Sequence, residues 1–232
     1  MRMPDDEAKA DLLLEGFGEY LLARLEAKKD TKELAQLFQG AQDALRKKLE
    51  TENVMERAVQ HAMAARDEAD QALDGKVRDL YMAMQMGWAN RRTNPLNLKY
   101  FPNGLTAVTL APLAEELVLV GKIIALLAAE ENPALKAYGP LVQEAAGGLQ
   151  AAMASYNAAL TAAGLAASAT RAQALLWRDA YRKIYARLLD IYSSNKPYAE
   201  SFFKKAPKGK KNGGGAGGAG EITTPKPPAS KA

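Results

Sequence analysis

Residues 133–193 read PALKAYGPLVQEAAGGLQAAMASYNAALTAAGLAASATRAQALLWRDAYRKIYARLLDIYS, and this stretch decides the fold. With Leu135 at heptad position d, the d series is Leu135, Val142, Leu149, Tyr156, Ala163, Thr170, Trp177, Ile184 and Ile191. The a series is Gly139, Ala146, Met153, Leu160, Ala167, Ala174, Tyr181 and Leu188, and only Gly139 and Thr170 depart from apolar. Apolar side chains repeating every 3.5 residues form the seam of a coiled coil. The stretch predicts one long helix with a partner helix along it. Small residues line the middle of the seam, where the partner can approach closely. Gly139-Pro140 predicts a kink near the start, because proline removes a backbone hydrogen bond and crowds the preceding turn.

The partner lies earlier in the chain. From Thr31 to Arg92 there is no proline, and an apolar stripe follows positions 34, 38, 41, 45, 49, 52, 55, 59, 62, 66, 69, 73, 77, 80, 84 and 88. That stripe advances by 3.6 residues per step, the period of a straight α-helix. Glu52 and Arg66 are its only charged occupants. One helix of about 60 residues, roughly 90 Å long at 1.5 Å per residue, fits the pattern. The alternative is a break near Asp74-Gly75, although glycine costs only about 1 kcal/mol relative to alanine in a helix. Asp30-Thr31-Lys32-Glu33 resembles a capping box that starts this helix. A shorter helix over 5–28 precedes it, with Leu13, Phe17, Tyr20, Leu21 and Leu25 on one face.

The two halves repeat one layout. Val77-Arg78-Asp79-Leu80-Tyr81 stands 100 residues before Trp177-Arg178-Asp179-Ala180-Tyr181. Each copy then meets a proline-containing stop (Pro95, Pro197) and an aromatic pair (Tyr100-Phe101, Phe202-Phe203). A shorter apolar helix precedes each long one; in the second half it covers about 111–131, followed by an Asn132-Pro133 cap. We therefore expect an all-α, elongated antiparallel helical bundle or coiled coil of two duplicated halves. Residues 1–104 form the first repeat, 105–203 the second packed on it, and 204–232 a disordered tail rich in Lys, Gly and Pro.

Charge divides the chain in the same way. From Lys204 onward there are seven lysines against one acid, Glu221, whereas the remaining body carries 24 bases and 26 acids. The basic character belongs to the tail. Lys204, Lys205, Lys208, Lys210 and Lys211 form a cluster able to neutralise phosphates of nucleic acid or of an anionic surface, with strong salt dependence. No arginine reads base edges there and no aromatic after Phe203 stacks on bases, so binding would be weak and non-specific.

Several kinds of chemistry find no support. The chain has no cysteine, which excludes disulfides, thiolate metal sites and cysteine nucleophiles. His61 is the only histidine and lacks a Glu three residues before it, as a di-iron bundle would need. Neighbouring carboxylates such as Glu115-Glu116 and Glu130-Glu131 point in different directions on a helix. No glycine pattern for phosphate binding follows a strand. We expect no enzyme activity, no cofactor and no metal. The aromatics Trp88, Trp177, Tyr181, Tyr185 and Tyr192 read as packed ends of the bundle. Arg78, Asp79, Arg178 and Asp179 flank the seam, where they are expected to form cross-helix structural pairs.

The N-terminus, Met-Arg-Met-Pro-Asp-Asp-Glu, has no apolar signal region, and the most apolar stretch, Leu117 to Ala129, is too short to span a bilayer. A cytoplasmic protein without a transmembrane segment follows. The functional expectation is a structural or interaction protein that associates with itself or with a partner helix. Its alternative is non-specific nucleic-acid association through the lysine tail.

Overall fold

The computed structural model describes residues 4–5, 8–86 and 94–204. Among them there is no strand. A π-helical segment, Leu12–Gly18, leads into α1 (Glu19–Glu26), and a 3-10 turn at Lys29–Thr31 leads into α2 (Lys32–Gln85). Then come α3 (Pro95–Tyr100), α4 (Thr106–Thr109), α5 (Leu113–Ala128), α6 (Pro133–Lys136), α7 (Tyr138–Ile191) and α8 (Lys196–Glu200).

The two long helices, α2 and α7, are 54 residues each, about 81 Å at 1.5 Å per residue. They pack antiparallel, because the start of α2 shares a core with the end of α7, and the end of α2 with the start of α7. α2 runs unbroken through Gly75, and each described position of its 3.6-residue stripe, from Leu34 to Met84, is buried or half-buried. The heptad seam of α7 holds less strictly. Leu160 and Ile191 are each 44% exposed, and Ala159, Ala166 and Gln173 are half-buried in their neighbourhood instead. A 3.5-residue repeat drifts about 20° per heptad against a 3.6-residue helix, so the buried line of α7 shifts to stay on α2. The interruption expected at Gly139-Pro140 falls at Ala137, between α6 and α7. Pro140 then sits in the first turn of α7, where its missing N–H leaves no bond unmade.

Burial along the pair is uneven. Residues 46–72 of α2 and 150–169 of α7 include no buried side chain, so the middle is a two-helix shaft. A fully packed core sits at each end. The terminal head joins Leu13, Leu21 and Leu25 to Phe38 and Leu45 of α2, Trp177, Tyr181 and Leu188 of α7, and Phe202-Phe203. The central head joins Leu73, Val77, Leu80 and Met84 of α2 to Val120, Ile123 and Leu127 of α5, Val142 and Leu149 of α7, and Tyr100-Phe101. Each head thus takes its short helix from one half and its aromatic pair from the other. Neither half owns a core.

Rings fill the terminal head. Trp177 stacks on Tyr181 at 5.1 Å, Phe38 tilts against both, and Phe203 meets Tyr181 edge-on at 5.0 Å. This is the packed aromatic end expected from the sequence; Trp88 lies outside the described residues. Gln42 is also fully buried here. Its Nε2 donates to Leu14 O at 3.0 Å, and its Oε1 accepts from Trp177 Nε1 at 2.7 Å. The π turn closes on the same carbonyl, with Glu19 N donating to Leu14 O. Gly18 makes the close approach possible, since a Cβ there would collide with the Gln42 amide.

Caps differ from expectation at Asp30-Thr31 and match it at Asn132-Pro133. Thr31 precedes α2 without a side-chain cap, and its Oγ1 donates to Leu25 O at 2.6 Å. Asp30 accepts from Tyr192 OH at 2.7 Å, so the tertiary contact takes the side chain that a capping box would use. The first helix starts near Ala10 rather than at residue 5. Asn94, Asn132 and Asn195 each accept a backbone N–H of the helix that follows, and each such helix carries proline in its first turn. Asn94 serves two helices, because its Nδ2 also donates to Met84 O in the last turn of α2. The turn after the buried Tyr100-Phe101 plug closes at Gly104, whose φ of +85° suits glycine.

Candidate interaction surface

The repeated Arg-Asp dipeptides occupy different environments. Arg78 is exposed and pairs with Asp74 one turn earlier on α2 at 2.8 Å. Asp79 is exposed, and Asp179 pairs with Lys183 along α7 at 2.8 Å. Arg178 is buried instead. Its Nη2 donates to the backbone carbonyls of Asp5 and Ala8, both at 3.0 Å, and so fastens the N-terminal segment to α7. The ion pairs that Arg78 and Asp179 make with Asp74 and Lys183 therefore run along a helix, and Arg178 reaches across to another segment. Of the lysine cluster, Lys204 is exposed; Lys205, Lys208, Lys210 and Lys211 lie outside the described residues, as does the tail beyond them.

Two carboxylates gain partners that sequence spacing did not suggest. Glu116, at the start of α5, is 1% exposed, and its Oε1 has no hydrogen-bond partner. Burial, with Asp70 and Asp74 of α2 beside it, pushes its carboxyl up to about 8. Burial likewise raises Asp74, against the opposing pull of Arg78. Glu130 behaves in the opposite way. It accepts from Lys99 Nζ at 2.7 Å, from Tyr100 OH at 2.5 Å and from the N–H of Asn132, which holds it near 2. These bonds tie α3 to the end of α5.

Among the described residues, no three His, Cys, Asp or Glu side chains are arranged to hold a metal ion. The described residues also line open grooves. One of about 640 Å³ beside the N-terminal segment mixes Lys9, Arg171 and Arg178 with Asp11, Glu52 and Glu56. His61 is exposed. No helix of the described residues is long and apolar enough to cross a membrane.

The shaft, in contrast, has two unlike sides. Over residues 46–72, α2 carries eleven charged side chains. Facing it, α7 carries none from Ala145 to Thr170, between Glu144 and Arg171. The inner contacts of the shaft are ordinary: Arg66 lies over the Tyr156 ring at 4.6 Å and pairs with Asp67 at 2.6 Å. The outer face of α7 is Gly147, Ala151, Ala154, Ala158, Thr161, Leu165 and Ser168, all exposed, with Leu165 at 69%. Leu175 and Leu176 extend it toward the terminal head. The heptad repeat marks the buried seam of α7 and carries no information on its outer side, which the charge gap from 145 to 170 marks instead. The chain matches no protein-family model, no curated protein and no solved structure.

Proposed function

We propose that this protein is a non-enzymatic structural or interaction module that acts through helix–helix association along its shaft. The charge-free outer face of α7 carries this reading. Solvated helix faces are ordinarily charged and polar, and α2 is so over the same length of the shaft. An exposed helix that drops every charge over residues 145–170 is built to meet another helix, with alanine and glycine allowing close backbone approach. The two heads serve this role by clamping the helix ends, so that the shaft is held straight and its outer face stays open.

The test is a photo-reactive side chain at Ala158 on α7, with one at Arg57 on α2 as control. Cross-links that form at 158, map to a helical segment and are absent at 57 support the reading. Equal labelling at both positions, or none at 158, overturns it.

A second reading rests on the charge step at Lys204, where a body of net −2 gives way to a tail of net +6. On that reading the tail adds weak, non-specific binding to a polyanion while the body assembles. Removal of 204–232 should abolish retardation of DNA at low salt. Full-length protein that fails to retard DNA under those conditions defeats it. Both readings suit a cytoplasmic protein.

A further inference from the structure

We infer that α5 is a hinged flap of the central head, held shut at its first turn by a proton shared between Glu116 and the aspartates of α2. Loss of that proton releases it. The inference stands apart from the helix-association reading and begins from a carboxyl in a core position. Glu116, Val120, Ile123 and Leu127 form the buried stripe of α5, spaced as one face of a helix. Asp70 and Asp74 meet Glu116 from α2, one turn apart and both half-buried. Glu116 Oε1 and Asp74 Oδ1 are enclosed, and neither has a hydrogen-bond partner. Ionised carboxylates only accept hydrogen bonds, so this contact closes when one of them carries a proton and donates it.

No neighbouring cation takes the place of the proton. Arg78 binds Asp74 Oδ2 at 2.8 Å and leaves Oδ1 without a donor. On α5 itself, Glu115 and Lys122 are exposed. α4 carries no charge, α6 carries only the exposed Lys136, and α7 from Tyr138 to Thr170 carries only the exposed Glu144. Burial, reinforced by Asp70 and Asp74, raises the Glu116 carboxyl to about 8, which sets the range of release. The closed form binds the proton more tightly than the open one, so closure is complete at lower pH and is lost as pH rises through about 8.

The far end of α5 is pinned. Tyr100 OH reaches Leu126 O at 3.4 Å and, together with Lys99, binds Glu130 just beyond the helix. Those partners lower the Glu130 carboxyl to about 2, so the pin keeps its charge while Glu116 titrates. At the near end the chain enters α5 through Leu110, which is 78% exposed. Deprotonation therefore lifts the first turns about the Lys99–Tyr100–Glu130 pin. It uncovers Val120 with Leu73 and Val77 of α2, an apolar surface that is covered at neutral pH.

Hydrogen exchange of the full chain at pH 7 and pH 9 is the experiment, read as protection factors so that base catalysis of exchange itself cancels. In wild type, protection over 113–121 should fall about ten-fold, the ratio set by one pH unit beyond the Glu116 midpoint. Protection over 177–188 in the terminal head should hold. Glu116→Gln, checked for folding by circular dichroism, should keep 113–121 protected at pH 9, because its amide donates without a proton to lose. Should that variant fail to fold, the double variant Asp70→Asn, Asp74→Asn makes the same test, since its amides donate to Glu116 in either protonation state. An unchanged 113–121 in wild type overturns the inference, as does a fall that persists in the variant. An equal fall over 113–121 and 177–188 means general unfolding and overturns the hinged flap.

Discussion

Trp177 donates its indole N–H to Gln42 at 2.7 Å, joining residues 135 positions apart in the middle of the terminal head. Gln42 passes the connection on to Leu14 O, so one buried amide links α2, α7 and the N-terminal π turn. Replacing it orphans a buried donor and leaves a cavity. Gln42→Ala is expected to cost about 2–4 kcal/mol in urea denaturation followed by tryptophan fluorescence. A loss below about 0.5 kcal/mol, the scale of ordinary surface substitutions, would show that the amide is not a structural link.

Gly18 and Gln42 compete for one volume. Gly18→Ala should destabilise by about 1–3 kcal/mol, because the new methyl meets an amide held at both ends. In a Gln42→Ala background the niche is empty and the same substitution should cost almost nothing. The measurement is a double-mutant cycle, and strict additivity would refute the contact.

Glu116 predicts a pH dependence with a definite sign. Its carboxyl is raised from 4.5 to about 8 in the folded protein, mainly by burial and then by Asp70 and Asp74. The folded state therefore binds the proton more tightly than the unfolded chain. The associated stability is fully present below about 4.5 and is lost as pH rises through about 8. Glu116→Gln, which keeps the amide neutral, should flatten that decline. Unfolding free energies measured at intervals between those pH values would show wild type and variant converging at the acid end; parallel curves throughout would contradict the assignment.

The two arginines of the repeated dipeptide should differ in weight. Arg178→Ala removes charge-assisted bonds to Asp5 O and Ala8 O inside a protected site, at about 1.5–3 kcal/mol for each such bond. Arg78→Ala removes an exposed pair within one helix, expected at about 0.5 kcal/mol or less. Thermal melts rank the two, and proteolysis near residue 8 should accelerate in Arg178→Ala only. Equal effects would mean that the halves are equivalent in energy as well as in layout.

Because both heads are composite, separated fragments 1–104 and 105–232 should each be poorly folded, and mixing them should restore helicity. Independent cooperative melting of either fragment would show that a half can build its own core.

Local pattern was enough to find both long helices and the inward face of α2. The stripe from Leu34 to Met84 is a period, and a period is a property of one segment that needs no knowledge of its partner. The stops at Asn94-Pro95, Asn132-Pro133 and Asn195 are equally local, since they depend on a cap side chain and a fixed φ. Tertiary structure decided what period cannot encode. Arg78 and Arg178 share a dipeptide and a helical position, yet one faces water and the other is covered by the N-terminal segment. Glu116 reads as a solvated first-turn acid until Asp70 and Asp74 of α2 are laid against it. The capping box at Asp30 lost its side chain to Tyr192, 162 residues away. Even the seam of α7 gave way at Leu160, where staying in contact with α2 mattered more than keeping the heptad. Two cores with a bare shaft between them follow from where the short helices land, and that depends on contacts between distant segments that no local pattern records.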